Sequence, residues 1–202
     1  MERAPLRSAD VSCPALAPVD FAPLQTARLQ LRSTVEEDVD PLHDILSRAE
    51  VTRYLLHPPL TREEVMARIL RTLGRLRLRE DGDLVRVSAL RREDGVFVAE
   101  LILRVTSAAG LAVEVGWTVH PDHRGRGYAT EAAIGLLDFA FGPLGAHRAE
   151  AHLYPGNLAS IAVCTRLGMR AEALHRLDLW VKGAWEDTAV YAILDQEWAA
   201  RG

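Results

Sequence analysis

Polar and apolar residues alternate from Arg28 to Arg32, with Leu29 and Leu31 on one side, which is the period of a short half-buried strand. The period then lengthens. Asp40 followed by Pro41 reads as an N-cap and a first-turn proline, opening a helix through Leu42, Ile45 and Leu46. Thr61-Arg62-Glu63-Glu64 has the form of a capping box, and the helix behind it sets Val65, Ile69, Leu73 and Leu76 on one stripe. After Asp81-Gly82-Asp83 the period falls to two. Leu84 to Leu90, Val96 to Thr106 and Leu111 to Val119 read as strands joined by Asp94-Gly95 and Ala109-Gly110 turns, and turns this short make the strands antiparallel neighbours. A glycine-rich turn leads into a helix from Tyr128 to Phe141, closed by Gly142-Pro143. Arg148 to Leu153 is a strand, Pro155-Gly156-Asn157 opens a helix to Leu167 that Gly168 ends, and Met169–Val181 and Glu186–Leu194 flank a Lys182-Gly183 turn. The order β-α-α-β-β-β-α-β-α-β-β predicts a single α/β (α+β) domain, a mixed and mostly antiparallel sheet flanked by helices. Residues 1–22, which carry Pro5, Pro14 and Pro18 without any period, read as an extended leader, and the domain is expected over 23–198.

Composition narrows the class. The 202 residues suit one domain, and 49% apolar with 26% charged residues is ordinary for a globular chain. A net charge of −4 disfavours bulk nucleic-acid binding, which depends on phosphate neutralisation. Cys13 and Cys164 are too few and too far apart for a disulfide framework or a cysteine zinc site, and the seven histidines show no ligand spacing, so no metal is expected. No stretch approaches the ~20 apolar residues of a membrane span, and the N-terminus lacks a secretory signal; the expectation is a cytoplasmic protein with no membrane partner.

The chemistry concentrates in Val119-His120-Pro121-Asp122-His123-Arg124-Gly125-Arg126-Gly127-Tyr128-Ala129, between a strand and a helix. Glycines let the backbone approach a ligand closely, and the first helical N–H groups have no intrahelical partners. The helix N-terminus adds about half a positive charge, so a pyrophosphate suits the turn. The run lacks the G-K-[ST] ending of a P-loop and the spacing of a dinucleotide site. From these residues alone, an empty glycine-rich turn remains the alternative.

Arg124-Gly125-Arg126-Gly127-Tyr128-Ala129 resembles the R/Q-x-x-G-x-G/A loop of the GNAT superfamily of acyl-CoA-dependent N-acetyltransferases. Thr26-Ala27-Arg28-Leu29-Gln30-Leu31-Arg32, Glu114-Val115-Gly116-Trp117, Asn157-Leu158-Ala159-Ser160, Arg166-Leu167-Gly168-Met169 and Trp185-Glu186-Asp187 follow in the order seen in its RimJ/RimL-like branch, which includes ribosomal-protein N-terminal acetyltransferases. The resemblance spans about Pro23 to Trp198. It implies the GNAT fold, with strand Leu111–Val119 splayed from Arg148–Leu153 to admit the pantetheine arm of acetyl-CoA. The acetyl-CoA site would include Val119, Arg124, Gly125, Arg126, Gly127, Tyr128, Ala129 and Thr130, with Asn157 and Ser160 beside the arm. Asn157, the chain's single asparagine, also reads unaided as a helix N-cap.

Acetyl transfer needs a neutral amine, and an α-amine with a pKa near 7.7–8.0 must lose a proton to a base. Glu114, an acid in an apolar strand segment, is the candidate base acting through water; a solvated strand face is the alternative. Backbone N–H groups of the splayed strand are the candidate oxyanion donors. The tyrosine that many GNAT enzymes place seven residues after the asparagine is absent, and Cys164 stands there. The resemblance gives proton donation to the leaving thiolate to Ser160, with Cys164 as apolar filling or as an alternative acid. Trp117 and Trp185 read as core or pocket wall, and Glu186 and Asp187 as either solvated charges or an acceptor-site lining. The acceptor implied is a protein or peptide N-terminus; a small amine and a non-catalytic acyl-CoA sensor are the alternatives, and a homodimer is one assembly the branch offers. The leader and Met169, where phenylalanine is usual, depart from the family pattern.

Overall fold

The computed structural model describes residues 15–201. Cys13 lies outside them. Eight strands form one sheet in the order β1-β2-β3-β4-β5-β6-β8-β7. The strands are β1 Leu24–Gln25, β2 Leu29–Ser33, β3 Leu84–Arg91, β4 Phe97–Ser107, β5 Ala112–Val119, β6 Arg148–Leu153, β7 Arg170–Val181 and β8 Ala184–Leu194. The helices are α1 Val39–Leu46, α2 Ala49–Thr52, α3 Arg62–Leu70, α4 Tyr128–Phe141, α5 Leu158–Arg166 and α6 Asp195–Ala199. Neighbouring strands are antiparallel except β5 and β6, which run parallel and enclose α4 between them in sequence. This is the mixed, mostly antiparallel sheet that the turn spacing predicts.

Strand alternation divides the molecule into two layers. Val85, Val87, Leu101, Leu103, Val113 and Val115 are buried in one apolar cluster with Leu136 and Leu137 of α4. The intervening residues, among them Arg86, Glu100, Arg104 and Glu114, point to the opposite face. There Val39, Leu42, Ile45, Val65 and Ile69 of α1 and α3 build a second cluster with Phe97. One face of the sheet is therefore apolar and filled, and the other is charged and only partly roofed.

Several boundaries differ from the sequence expectation. Helix α1 is preceded by a 3-10 turn at Glu36–Asp38 and begins before Asp40. Asp38 rather than Asp40 holds the entry, because its carboxylate accepts the Val35 N–H (3.0 Å) and both Nη groups of Arg32 (2.7 Å each). Asp40 instead reaches Arg62 on α3. The Thr61–Glu64 capping box is present as read, with Thr61 N–H donating to Glu64 (2.8 Å) and Glu64 N–H to Thr61 (3.2 Å). Helix α3 ends at Leu70, short of Leu73 and Leu76, because the chain turns at Gly74 with φ +70°. The last two strands begin at Arg170 and Ala184, and β1, α2 and α6 have no counterpart in the sequence expectation. Within the leader region, Phe21 is buried and stacks edge-on against Phe139 at 5.2 Å, while Ala17 N–H donates to Leu144 O (2.8 Å).

Candidate active site

The feature that opens the sheet lies between its two parallel strands. β5 pairs with β6 at Ala112, Val113 and Glu114 only. Beyond Glu114, β5 stays on β4 up to Val119 while β6 follows β8 to Leu153. The β6-facing backbone edge of Val115–Val119 is left without a strand partner, and the gap widens toward the glycine-rich turn. Such open polar backbone is tolerated where water or a ligand supplies the missing hydrogen bonds.

The turn closes one end of that gap. Gly125 and Gly127 take φ +74° and +80°, the left-handed region that a side chain disfavours. Gly127 is the N-cap of α4, so the N–H groups of the first turn point out of the helix end. A Cβ at Gly125 would meet nothing within 4 Å, so the loop presents bare backbone. A pyrophosphate fits this cradle. The loop is pinned from behind by residues far away in sequence. Glu131, in the first turn of α4, accepts from Thr26 Oγ1 (2.6 Å), Arg28 N–H (2.7 Å) and Arg28 Nε (2.6 Å). Arg28 Nη1 donates to Arg126 O (3.1 Å), and its guanidinium lies 4.7 Å from the centre of the Tyr128 ring. Burial pushes the Glu131 carboxyl upward, but its bonds to Thr26 and Arg28 outweigh that and hold it below the usual range.

A single open cleft of about 1860 Å³ collects most of the predicted residues. Val119, Arg124, Gly125, Gly127, Tyr128, Ala129, Thr130, Asn157, Ser160 and Glu114 all line it. Arg126 does not; its carbonyl is turned onto Arg28. Cys164 does not either. Its side chain is fully buried in the core, and burial pushes its thiol up to about 12, which suits apolar filling and not proton exchange. Asn157 caps α5 as the unaided reading expects: its Oδ1 accepts from Ser160 N–H (3.2 Å), and its NH₂ group makes no hydrogen bond among the described residues.

Glu114 sits where the strands part. It is 8% exposed and lines the cleft, on the charged face of the sheet and not on a solvated one. Its Oε2 accepts from Arg104 Nη2 on the adjoining strand. The pair follows from the hairpin register, which sets Arg104 opposite Glu114. Its Oε1 has no protein partner among the described residues, leaving one carboxylate oxygen for a water or an amine.

His120, His147 and His152 take structural partners, whereas His123 lines the cleft with its Nδ1 buried and unpartnered among the described residues. His120 Nδ1 accepts from Asp122 N–H (3.2 Å), so Nε2 carries the proton that bonds Asp44 (2.6 Å). His147 pairs with Asp195 (3.1 Å) and His152 with Glu150 (3.0 Å). Trp117 forms part of the cleft wall, whereas Trp185 is 55% exposed and stacks edge-on against Trp180 at the β7–β8 turn. Glu186 is not a lining residue; Asp187 is, and it accepts the Leu177 N–H (2.8 Å). Sequence reasoning missed Arg68, Arg86 and Glu100, which also line the cleft, because each alone looks like an ordinary charged residue on a helix or strand. No helix among the described residues is long and apolar enough to cross a membrane, and no group of His, Cys, Asp or Glu among them could hold a metal.

Residues 28–170 match the acetyltransferase (GNAT) domain family. The chain belongs to that family. GNAT acetyltransferases bind acetyl-CoA and pass its acetyl group to an amine. A Bacillus licheniformis relative named as the uncharacterized N-acetyltransferase p20 is 30% identical over 176 residues, 87% of this chain and 98% of that one. Among solved structures, a GNAT acetyltransferase from Bacillus anthracis superposes with TM-score 0.79 at 24% identity, over 87% of this chain and 100% of its own. Two others share the fold at lower identity. A Vibrio cholerae spermidine N-acetyltransferase in complex with CoA and spermine has TM-score 0.72 and 17% identity, over 85% and 98% of the two chains. A Vibrio fischeri ribosomal-protein-S5-alanine acetyltransferase has TM-score 0.70 and 18% identity, over 88% and 99%.

The clamp behind the GNAT loop gives a direct prediction. Arg28→Ala should raise KM for acetyl-CoA by about five- to ten-fold, because the half-exposed guanidinium holds two loop acceptors at once. The kcat should change less than about three-fold, since Arg28 bonds Glu131 and the Arg126 carbonyl and makes no bond to Glu114. Arg28→Lys should restore little, because an ammonium cannot bond Glu131 and the Arg126 carbonyl while stacking on Tyr128. Steady-state thiol release at varied acetyl-CoA measures the split.

Proposed function

We propose that this chain is an N-acetyltransferase of the RimJ/RimL-like kind, acting on the primary α-amine of a protein or peptide N-terminus. The observation that carries the reading is that the glycine loop, the parted strands, Glu114 and Ser160 open on one continuous cleft. The cleft of about 1860 Å³ is shared by acetyl-CoA and the acceptor, and the choice of a chain end as acceptor rests on the RimJ/RimL-like resemblance. Acetyl-CoA supplies the activated acetyl thioester. The first-turn amides of α4 and those of Gly127 and Ala129 hold its pyrophosphate, and the Asn157 NH₂ bonds the arm in the gap between β5 and β6. On the far side of β5, the acceptor amine enters against α2 and α3. Glu114 takes a proton from it through a water on Oε1, and the free N–H groups of β5 receive the negative charge that develops on the thioester oxygen. Ser160 returns a proton to the sulfur as it leaves.

The test is thiol release from acetyl-CoA with a panel of N-terminal peptides, polyamines and aminoglycosides. Turnover is expected with the peptides. Turnover confined to polyamines or aminoglycosides would move the acceptor to a small amine. A flat panel combined with no binding in an acetyl-CoA titration would overturn the reading. Ser160→Ala should lower kcat by about ten- to a hundred-fold while Cys164→Ala leaves kcat within about three-fold. The reverse order would remove Ser160 from the proposed role.

A further inference from the structure

The charged face of the sheet holds more positive than negative charge where it is least exposed. Glu100 of β4 is 3% exposed and faces two guanidinium groups. Arg68 Nη2 from α3 donates to its Oε2 (2.8 Å), and Arg86 Nη1 from β3 donates to its Oε1 (3.2 Å). Both arginine side chains are themselves only 16% and 15% exposed. One carboxylate thus serves two buried cations. Arg68 Nη1 and Arg86 Nε lie fully buried with no acceptor. The neighbouring Arg104–Glu114 pair is neutral as a unit, so it does not offset the excess. Arg71, the C-cap of α3, lines the same wall and makes no ion pair among the described residues.

Burial lowers the Arg86 pKa, and although Glu100 opposes this, the charges of Arg68 and Arg71 lower it further. The acids at this end of the cleft do not neutralise the group. Glu50 and Glu64 are exposed, and Glu64 is engaged in capping its own helix. A buried cation without a counter-charge is costly, and the usual remedies are pairing or a bound anion.

We infer that Arg68 and Arg86 form an anion subsite of the acceptor pocket, and that the acceptor is an amine carrying a carboxylate or similar anion a few bonds from the nitrogen. This rests on the transferase reading and sharpens its substrate class. The register sets the distance. Arg86 pairs with Ile102, and Ile102 with Gly116 on the splayed stretch of β5. Two strand spacings are about 10 Å between backbones, and Arg86 and Glu114 lie on the same face of the sheet. An anion at the Arg86 guanidinium and an amine at Glu114 would therefore share one wall of the cleft. A free amino acid supplies such an anion as its α-carboxylate; a peptide supplies it as an acidic side chain in its second position. A polyamine, cationic at both ends, is disfavoured against the same wall.

Two arms of thiol release distinguish the sources. Serine is compared with serinamide, and a Ser-Asp peptide with the matching Ser-Asn peptide, at fixed acetyl-CoA and ionic strength. The anionic member of at least one pair should have the higher kcat/KM by about ten-fold or more, and Arg86→Met should erase the preference while leaving KM for acetyl-CoA unchanged. Which pair shows the preference names the source. Equal rates within both pairs, or faster turnover of spermidine, would overturn the subsite and leave the transferase standing. An activity-free measurement covers the case of no turnover. With saturating CoA on the glycine loop, inorganic phosphate should raise the melting temperature by about 2 °C or more over chloride at matched ionic strength, and not in Arg86→Met. No shift in the native protein would overturn the subsite; binding of CoA in the same experiment tests the transferase reading separately. Arg86→Met keeps most of the stem volume and removes one of the two cations that share Glu100, leaving Arg68 to pair it, so the variant is expected to fold.

Discussion

Glu114→Gln is expected to lower kcat by about 10²–10⁴-fold, the contribution of a positioned base to proton removal. The substitution keeps the size of the side chain and can keep a bond from Arg104 to the amide oxygen, so the cleft wall should survive. What disappears is the oxygen that takes the proton. KM for acetyl-CoA should stay within about two-fold, because the glycine loop and its Arg28–Glu131 clamp are built from other elements. The pH profile separates a base from a wall residue. An α-amine of pKa near 7.7–8.0 is largely protonated at pH 7, so native turnover depends on the base there. The variant should regain rate as pH rises and the free amine forms unaided. Steady-state thiol release between pH 6 and 9 measures both effects. A loss of less than three-fold at pH 7 would return Glu114 to a structural role as the partner of Arg104.

The largest effect on stability is expected at Asp38. Its carboxylate accepts from both Nη groups of Arg32, from the Val35 N–H and from Ser88 Oγ (2.7 Å), and Ser88 in turn meets Thr34 at 3.0 Å. The Asp38 side chain is 5% exposed. Asp38→Ala leaves Arg32, the Val35 N–H and the buried Ser88 hydroxyl without their acceptor and should cost about 3 kcal/mol, read as a fall in the urea midpoint at unchanged slope. Burial raises the Asp38 pKa, but the Arg32, Val35 and Ser88 bonds outweigh it and the folded-state value lies below the ordinary one. A carboxyl depressed in the folded state stabilises above its unfolded pKa, near 3.9, and that contribution is lost as pH falls through the folded value. The stability gap between native protein and Asp38→Asn should therefore be widest above about pH 5 and shrink below about pH 4. A gap constant from pH 7 to pH 3 would mean that the carboxylate's charge contributes nothing.

Much of the site was legible because its parts are local. Gly125 and Gly127 mark left-handed backbone, Asn157 caps the helix that follows it, and Thr61 and Glu64 cap each other three residues apart. Each of these depends on neighbours within one turn of chain, and a turn's chemistry is written in the residues that make it. The Arg104–Glu114 pair is intermediate. Once the Ala109-Gly110 turn is read as a hairpin, the register brings the two residues face to face. The truncated α3 shows the opposite case: the apolar stripe continues through Leu73 and Leu76, but the chain leaves the helix at Leu70 and turns at Gly74. Periodicity records which residues prefer one face and says little about where tertiary packing stops the helix.

By itself, then, the sequence determined the order of the main strands and helices and the glycine-rich turn before α4, and with the family resemblance it singled out Asn157, Ser160 and Glu114 as candidate site residues. Only the tertiary structure decided that Cys164 is core, that Arg28 and Thr26 grip Glu131 more than a hundred residues away, and that Arg68, Arg86 and Glu100 meet from α3, β3 and β4. The physical reason is range. Turns, caps and alternation are set by contacts between near neighbours, whereas burial, charge compensation and the parting of β5 from β6 arise only when elements distant in sequence pack against one another.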